Sequence, residues 1–273
     1  MSRRLDGSTV VVTGASGGIG AEAARKLARL GATVCLLARR EDELEAVADD
    51  IRRAGGVAHA YVVDLSDPDA TDAVAVRLLA EHPRIDVLVN NAARSIRRPI
   101  VESVDRVHDY ERTMAINYFG AVRLTLALVP RFLEQGRGHV VISSSMSTQL
   151  PIPLFSAYLA SKSALESFTR SLVAELGADG VSATTVYFPM VRTEMSGRTD
   201  IYQAMPMLSA DKAADWLVRA VVARPARVTS LQGAAAEIGM AALPGPLTAG
   251  LRPVFRHMDR LLARRSGVRS DAT

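Results

Sequence analysis

Tyr158 and Lys162 are the two residues whose types and spacing best suit proton transfer. Four residues apart on a predicted helix, they project on the same face, close enough for the ammonium to act on the phenol. A free tyrosine has a pKa near ~10, and a neighbouring cation lowers it, so the pair predicts an acid or base usable near neutral pH. The spacing alone is common and usually structural. Lys162 stands out, however, because all but three of the 33 basic residues are Arg, the others being Lys26 and Lys212.

Hydroxyl groups cluster just before this pair. The segment Ser143-Ser144-Ser145-Met146 ends a predicted strand that begins at Gly138, and the helix with Tyr158 follows it. Three hydroxyls at a strand end, followed by a tyrosine and a rare lysine, favour a chemical interpretation over a structural one.

A glycine-rich turn joins the first predicted strand to the first predicted helix. The strand runs directly into Thr13-Gly14-Ala15-Ser16-Gly17-Gly18-Ile19-Gly20. Glycines let the backbone approach a pyrophosphate closely, and the N–H groups and dipole at a helix start attract the anion. Tight turns also use glycine for steric reasons alone, but the position within a βαβ unit favours a dinucleotide site. The residues we expect to hold its phosphates are Gly14, Ser16, Gly17, Gly18, Ile19 and Gly20.

The end of the second predicted strand indicates which dinucleotide is bound. Ala38 is followed by Arg39 and Arg40, and no acid occurs before Glu41. An acidic residue here accepts hydrogen bonds from ribose hydroxyls, whereas Arg accommodates a 2′-phosphate, so NADP(H) is favoured over NAD(H). The alternative is that one of the two arginines is simply solvated. At the end of the third strand, Asp64-Leu65 is expected to touch the adenine.

Apolar segments rich in β-branched residues alternate with amphipathic segments along the chain. This βα rhythm predicts a Rossmann-type, doubly wound parallel sheet of about seven strands with helices on both faces, the α/β class. Ligands of such sheets bind at the carboxyl ends of the strands. The predicted helices include 22–30, 42–54 and 70–81. The predicted strands are 9–13, 33–38, 57–63, 85–90, 138–144, 182–187 and 227–229.

Composition excludes several classes of protein. A chain of 273 residues, 48% of them hydrophobic, buries a large core, which excludes a disordered or fibrous protein. The net charge of +4 does not indicate nucleic acid, because the basic residues are scattered among 29 acids. Cys35 is alone in an apolar run, which predicts a buried structural thiol, and the five histidines form no metal-binding pattern. No signal peptide is recognised, and a cytoplasmic protein is expected.

These motifs together resemble the short-chain dehydrogenase/reductase family over about residues 5 to 230. The resemblance implies that Tyr158 donates a proton to a carbonyl oxygen, and that Lys162 lowers the tyrosine pKa and holds the nicotinamide ribose. It implies that Ser145, thirteen residues before the tyrosine, binds the substrate oxygen and that Asn117 anchors a water in a proton relay. The further residues that it implies for cofactor binding are Asn90, Ala92, Pro189, Val191 and Thr193, besides Tyr158 and Lys162.

Two segments depart from the family pattern. The usual Asn-Asn-Ala-Gly reads Asn90-Asn91-Ala92-Ala93, a change that costs little unless the last residue needs a positive φ. In place of the usual Pro-Gly-x-Val-x-Thr, this chain has the segment Pro189-Met190-Val191-Arg192-Thr193, which is one residue shorter. The start of a substrate lid at about 190–210 must therefore run in a different direction.

Less common segments narrow the resemblance to bacterial long-chain fatty acyl-CoA reductases. They are 93–99, 108–114, 117–120, 189–193 and 224–228. This similarity implies NADPH-dependent reduction of a long acyl thioester or a fatty aldehyde by direct hydride attack, without a metal. The alternatives are a ketoreductase or hydroxysteroid-type dehydrogenase and, in another class, a catalytically silent NADP(H)-binding regulator. The presence of all four residues Ser145, Asn117, Tyr158 and Lys162 argues against the regulator.

Two arginine clusters and one apolar segment bear on partners. Arg94, Arg97 and Arg98 lie where they could meet CoA phosphates or a carrier protein, or could be a solvated helix start. Apolar residues of the lid, 195–208, suit a lipophilic substrate or pack on their own loop. The tail carries arginines at every fourth position that suit either peripheral contact with an anionic membrane or an ordinary C-terminal helix: Arg252, Arg256, Arg260 and Arg264.

The sequence thus predicts an NADP-binding catalytic domain over 1–243 and a helical tail over 244–273. By analogy with related reductases, we expect a homo-oligomer, a dimer or tetramer, paired through helices around 106–132 and 156–176. A small lipophilic carbonyl compound, free or linked to CoA or a carrier protein, is the expected partner.

Overall fold

A computed structural model describes residues 5–150, 152–193 and 207–253 of the chain. Its strands are β1 Thr9–Thr13, β2 Thr33–Ala38, β3 Val57–Val62, β4 Val87–Asn90, β5 Gly138–Ser145, β6 Val181–Phe188, β7 Val191–Arg192, β8 Leu208–Ser209 and β9 Arg227–Val228. Its α-helices are α1 Gly18–Arg29, α2 Glu41–Arg53, α3 Pro68–Glu81, α4 Val107–Met114, α5 Ala121–Glu134, α6 Ser156–Leu176, α7 Ala210–Ala223 and α8 Leu231–Ala242.

Seven of these strands form one sheet in the order β3-β2-β1-β4-β5-β6-β9, with every neighbouring pair parallel. The predicted doubly wound fold is confirmed. The order reverses direction at β1, which pairs with β2 on one side and with β4 on the other. A crevice at the carboxyl ends of β1 and β4 is where this topology binds ligands. The short strands β7 and β8 pair separately.

Helices cover both faces of the sheet, which explains why its inner strands are apolar throughout. Successive residues of β1 point to opposite faces: Val10 and Val12 join the core beneath α1, α2 and α7, whereas Val11 joins the core beneath α3, α5 and α6. All five residues of β1 are buried. Because β1 is buried on both faces of the sheet, its carboxyl end, which carries part of the site, is held in place.

The start of β4 differs from the prediction. The strand begins at Val87 rather than Ile85 because the side-chain amide of Gln135 takes the place of a neighbouring strand at Ile85. Its Nε2 donates to the Ile85 carbonyl oxygen at 2.8 Å, and its Oε1 accepts from the Ile85 N–H at 3.0 Å. The other strand ends agree with the predicted ones within one residue.

A continuous helical stretch, 107–134, comprises α4, a π-helical segment Ala115–Gly120, and α5. Within the described parts of the chain it is the one helix long and apolar enough to cross a membrane by length and composition. Its α5 portion packs Leu124, Leu128 and Phe132 into the core. This burial identifies it as a core helix of the fold.

Both ends of the predicted lid and the start of the predicted tail lie inside the described residues. The pair β7–β8 brackets the lid, of which 194–206 lie outside the described residues. The tail helix predicted from residue 244 is present to residue 253, separated from α8 by a break at Leu243. Arg256, Arg260 and Arg264 fall outside the described residues.

Candidate active site

The glycine-rich turn after β1 packs so closely against the turn after β4 that a side chain would not fit. Gly14 has a φ of 66°, and a Cβ there would lie 2.9 Å from the Ala92 Cα. Gly18, the first residue of α1, has a φ of 56°. No side chain caps this helix start and its first turn carries no acid, so its N–H groups and positive dipole face an open turn. This backbone fits a pyrophosphate.

Arg40 lies over the same turn. Its Nη2 is 3.4 Å from the Ser16 Oγ, and a Cβ on Gly17 would lie 3.2 Å from that Nη2. Glu43 pairs with its Nη1 at 3.1 Å. Two of the predicted phosphate contacts, Ser16 and Gly17, thus lie beside the guanidinium expected to accommodate a 2′-phosphate.

Arg39 points elsewhere. Its Nη1 lies 3.3 Å from an oxygen of Asp64, just beyond β3. Ser66 donates to the other Asp64 oxygen through its backbone N–H and its hydroxyl. The Leu65 side chain is buried in the core, so Asp64 or the backbone is what this segment offers an adenine. Of the two predicted arginines, Arg40 therefore has the geometry for the phosphate.

Thr13 locks the turn after β4 against the turn after β1. Its hydroxyl accepts hydrogen bonds from the N–H groups of Asn91 and Ala92, each at 2.9 Å, and donates to the Val89 carbonyl. Asn90 donates to the Thr125 hydroxyl at 3.0 Å, and its buried Oδ1 has no hydrogen-bond partner within the described chain. The two predicted cofactor-binding turns therefore meet at the switch point of the sheet.

Ala93, which replaces the usual glycine, has an ordinary backbone. Among non-glycine residues of the described chain, only Leu154 and Arg224 have a positive φ. The position therefore does not require glycine, and the departure from the family pattern leaves the turn intact.

The shortened segment after β6 returns to the glycine-rich turn. A Cβ on Gly18 would lie 3.4 Å from the Thr193 Cγ2. Val191 is buried in β7, and the carbonyl oxygen of Met190 accepts from the Leu208 N–H at 2.9 Å. Despite the missing residue, Thr193 thus lies beside the start of α1, within the turn expected to hold the cofactor phosphates.

The side chains of Tyr158 and Ser145 lie close together, and the Ser145 hydroxyl acts to lower the pKa of Tyr158. Ser145 is the last residue of β5 and Tyr158 lies in the first turn of α6, so a strand end and a helix start bring the two hydroxyls together. Both residues are half-buried. The structure thus unites the serine chosen by spacing with the predicted proton donor.

Lys162 lies beneath this pair. Its Nζ is 5.9 Å from the centre of the Tyr158 ring and donates to the Ser143 carbonyl oxygen at 2.7 Å. The residue is only 2% exposed, and burial lowers the pKa of its ammonium to about 8. A cation at the edge of titration near neutral pH is a candidate proton carrier.

The expected net lowering of the Tyr158 pKa is wrong, because the pKa is raised to about 12. Burial is the largest cause, the negative charge of Glu166 acts in the same direction, and the Ser145 hydroxyl acts in the opposite one. The ammonium is directed to the Ser143 carbonyl rather than the phenol oxygen. Tyr158 is therefore a protonated phenol over the neutral range.

Asn117 lies in the π-helical segment and is completely buried. Its Oδ1 accepts from the Arg94 N–H at 2.7 Å, and its Nδ2 donates to the Arg94 carbonyl oxygen and to the Ser161 hydroxyl, both at 2.9 Å. Ser161 in turn donates to the Tyr158 carbonyl oxygen at 2.7 Å. The amide thus ties the loop after β4 to α6.

Arg98 is part of the loop's own structure. It lies 3.2 Å from the buried carboxylate of Asp109, which Arg106 also contacts at 3.1 Å. The Arg98 N–H donates to the carbonyl oxygen of Leu154. Arg97 is exposed and Arg94 half-buried, so these two are the residues of the cluster best placed for an external phosphate.

Sequence reasoning missed Glu166, Thr148 and Tyr187, which line the buried side of the site. Glu166 is only 8% exposed and lies within hydrogen-bond distance of three hydroxyls. The signal was available: Glu166 is four residues beyond Lys162, on the same helix face. The predicted structural role of Cys35 is supported, since it is buried and burial raises the pKa of its thiol to about 12.

The family model described as short chain dehydrogenase matches residues 8–203. A fatty acyl-CoA reductase of Acinetobacter baylyi is 44% identical over 240 residues, 88% of this chain and 81% of the relative. An uncharacterized oxidoreductase of Mycobacterium tuberculosis is 47% identical over 243 residues, 88% of this chain and 71% of the relative. A metagenomic short-chain oxidoreductase solved in complex with NADP is 33% identical with a TM-score of 0.71, covering 83% of this chain and 97% of its own.

Proposed function

The chain belongs to the short-chain dehydrogenase/reductase family, and from this we propose that it is an NADPH-dependent reductase of a lipophilic carbonyl compound, a long-chain acyl thioester or fatty aldehyde. The observation that carries the proposal is the proximity of the Ser145 and Tyr158 side chains, with Lys162 beneath them. It presents a proton donor and a second hydroxyl at one point of the crevice.

The residues around the crevice fit NADPH. The glycine-rich turn and the start of α1 would hold the pyrophosphate, Arg40 the 2′-phosphate, and Lys162 the nicotinamide ribose. The bound nucleotide supplies the hydride. Preference for NADPH over NADH rests on Arg40, because the end of β2 offers an arginine where NAD-binding sites offer an acid.

The proton is the contribution of the chain itself. Tyr158, with its pKa raised to about 12, holds its proton at neutral pH and donates it to the carbonyl oxygen as the carbon–oxygen double bond is reduced. The Ser145 hydroxyl donates to the same oxygen and helps to bear the developing charge. Lys162, positively charged below about pH 8, stabilises the phenolate that remains. A water anchored by Asn117 then links Lys162 to solvent and returns the proton.

The acyl-CoA reductase of Acinetobacter baylyi supports the substrate class, because its 44% identity extends over 88% of this chain. With a thioester, hydride addition at the carbon and proton transfer from Tyr158 to the oxygen give a hemithioacetal, which expels the thiol to leave an aldehyde. No acyl-cysteine step is proposed, because the one cysteine of the sequence, Cys35, is buried in β2. Arg94 and Arg97 are the side chains that we expect to meet CoA phosphates.

Product analysis tests the substrate class. The purified protein would be incubated with NADPH and a panel of long-chain acyl-CoAs, fatty aldehydes and cyclic ketones. We expect an aldehyde or alcohol from the acyl or aldehyde substrates. Reduction of ketones alone would replace this function by a ketoreductase, and no NADPH oxidation with any substrate would favour the silent regulator.

We propose that subunits pair through the helix 107–134. Phe119, Leu126 and Leu133 recur every seven residues on the outer side of the helix 107–134 and are 60%, 54% and 40% exposed, which supports pairing of subunits through this helix. We propose a cytoplasmic homo-oligomer with its catalytic domain over 1–243. Co-sedimentation of the full chain with anionic liposomes, compared with a chain lacking 244–273, tests peripheral membrane contact. Unchanged binding would exclude the tail as its cause.

A further inference from the structure

Glu166 brings a carboxylate into the protein interior directly behind the proton-transfer pair. It lies on α6 one turn beyond Lys162 and is 8% exposed. A buried carboxylate costs several kcal/mol unless hydrogen bonds or a counter-charge compensate it. Its neighbours therefore show what it does.

Three hydroxyls from different elements surround this carboxylate. Ser144 of β5 donates a short hydrogen bond to its Oε1. The Thr148 hydroxyl lies 2.9 Å from the same oxygen and 2.8 Å from the Ser145 carbonyl oxygen, and its single proton serves one of them. Tyr187 of β6 donates to Oε2 at 3.3 Å. The carboxylate thus holds the segment 144–148, in which Ser145 lies.

Lys162 carries a positive charge one helical turn from Glu166 on α6. The ammonium donates to the carbonyl oxygen of Ser143, which offers only a partial negative charge to a full positive one. Two residues one turn apart on a helix face each other, so the fields of Lys162 and Glu166 act on one another through a buried region of low dielectric. The negative charge of Glu166 raises the pKa of Lys162, opposing the larger lowering by burial.

The other ionisable groups around Glu166 are either paired with an opposite charge or uncharged. From β9, Arg227 lies over the Tyr187 ring at 5.7 Å, but both its terminal nitrogens bind Glu237 of α8, at 2.8 and 2.9 Å. From α6, Tyr158 is neutral over the relevant pH range because its pKa is about 12. Burial also raises the pKa of Tyr187, so its phenol stays neutral. Lys162 is therefore the cation on which the Glu166 charge acts most.

We propose that Glu166 is a positioning residue of the reductase site, which fixes the segment 144–148 behind Ser145 and keeps Lys162 protonated. The inference deepens the proposed function, since protonated Lys162 is what stabilises the Tyr158 phenolate. It adds a buried carboxylate to the four residues Ser145, Asn117, Tyr158 and Lys162. This carboxylate acts through Ser145 and Lys162.

The scarcity of lysine makes the charge effect directly measurable. A protein labelled with ¹³C at lysine Cε gives three signals, from Lys26, Lys162 and Lys212, and the Lys162→Arg variant assigns the one of interest. The titration uses the full chain without nucleotide or substrate. Its outcome is therefore independent of whether the proposed substrate is reduced.

We expect the Lys162 signal of the wild type to titrate near pH 8 and that of Glu166→Gln to titrate on the order of one pH unit lower. Glu175→Gln removes a carboxylate from the exposed side of the same helix and should leave the titration unchanged. Coincident Lys162 titrations in wild type and Glu166→Gln would overturn the proposal.

Glu166→Asp supplies a second, independent test that also covers failure of the Gln variant to fold. It keeps a carboxylate in the same buried space, so the Lys162 titration should stay within about half a pH unit of the wild type. A decrease in Glu166→Asp as large as that expected for Gln would overturn the role of the charge. In the reduction assay, Glu166→Gln should move the loss of activity at alkaline pH downward by the same interval, which loss of packing alone would not do.

Discussion

The side chains of Ser145 and Tyr158 meet across the gap between the end of β5 and the first turn of α6. Burial, the largest cause, raises the pKa of the phenol to about 12. A tyrosine in this condition is poised to donate a proton and is a poor base at neutral pH.

Reduction should decline as the pH rises through about 8. Burial lowers the pKa of Lys162 to about 8, so its ammonium is charged below that pH and neutral above it. The neutral amine no longer stabilises the Tyr158 phenolate, and kcat/KM for a reducible aldehyde should fall at alkaline pH. Rates between pH 6 and 10 check this.

Lys162→Arg is the matched control for this pH dependence, because a guanidinium stays charged throughout the range. The variant should be slower than the wild type but should lack the alkaline decline. An identical decline in both proteins would assign the titration to another group.

Arg40→Ala should weaken NADPH binding by roughly ten- to a hundredfold and leave NADH binding unchanged. The reason is the loss of one charge-assisted hydrogen bond to the 2′-phosphate, worth ~1.5–3 kcal/mol. Fluorescence titration with both nucleotides measures the effect. Arg53→Ala, an exposed arginine at the end of α2 paired with Asp50, is the control and should change neither affinity. Equal losses for NADPH and NADH would contradict the assigned role of Arg40.

Gly14→Ala should destabilise the fold more than Gly55→Ala. Both glycines have a positive φ, which costs a non-glycine residue about 1–2 kcal/mol, but a Cβ at Gly14 meets the Ala92 Cα at 2.9 Å whereas nothing lies within 4 Å at Gly55. We expect about 2–4 kcal/mol and about 1 kcal/mol, respectively, in the free energy of unfolding. Urea denaturation checks both, and equal losses would show that the contact with Ala92 is relieved at no cost.

Much of the fold and of the site could be predicted from the sequence, because the hydrophobic pattern and residue spacing along the chain agree with the tertiary structure in the sheet and at its strand ends. The apolar βα rhythm predicted the sheet because every inner strand is buried on both faces. Spacing identified Ser145, Tyr158 and Lys162 because a strand end and a helix start impose the distances between them.

What sequence reasoning missed depends on contacts between distant segments. The side chain of Gln135, fifty residues further along the chain, binds Ile85 and so shortens β4. The carboxylate of Asp109 binds Arg98, which therefore belongs to the structure of its own loop. The pKa of Tyr158 followed burial and Glu166 rather than its helical neighbour Lys162. Such effects require the burial and distances of side chains, which spacing along one helix does not give.

The most direct test of the central claim is the rate of NADPH oxidation with a long-chain acyl-CoA or fatty aldehyde in the wild type and in Tyr158→Phe, with the product identified. We predict that the wild type forms aldehyde or alcohol and that the variant is slower by a factor of about 10² or more, because the proton donor is lost. NADPH affinity should stay within a few-fold. A Tyr158→Phe protein as fast as the wild type would contradict the mechanism.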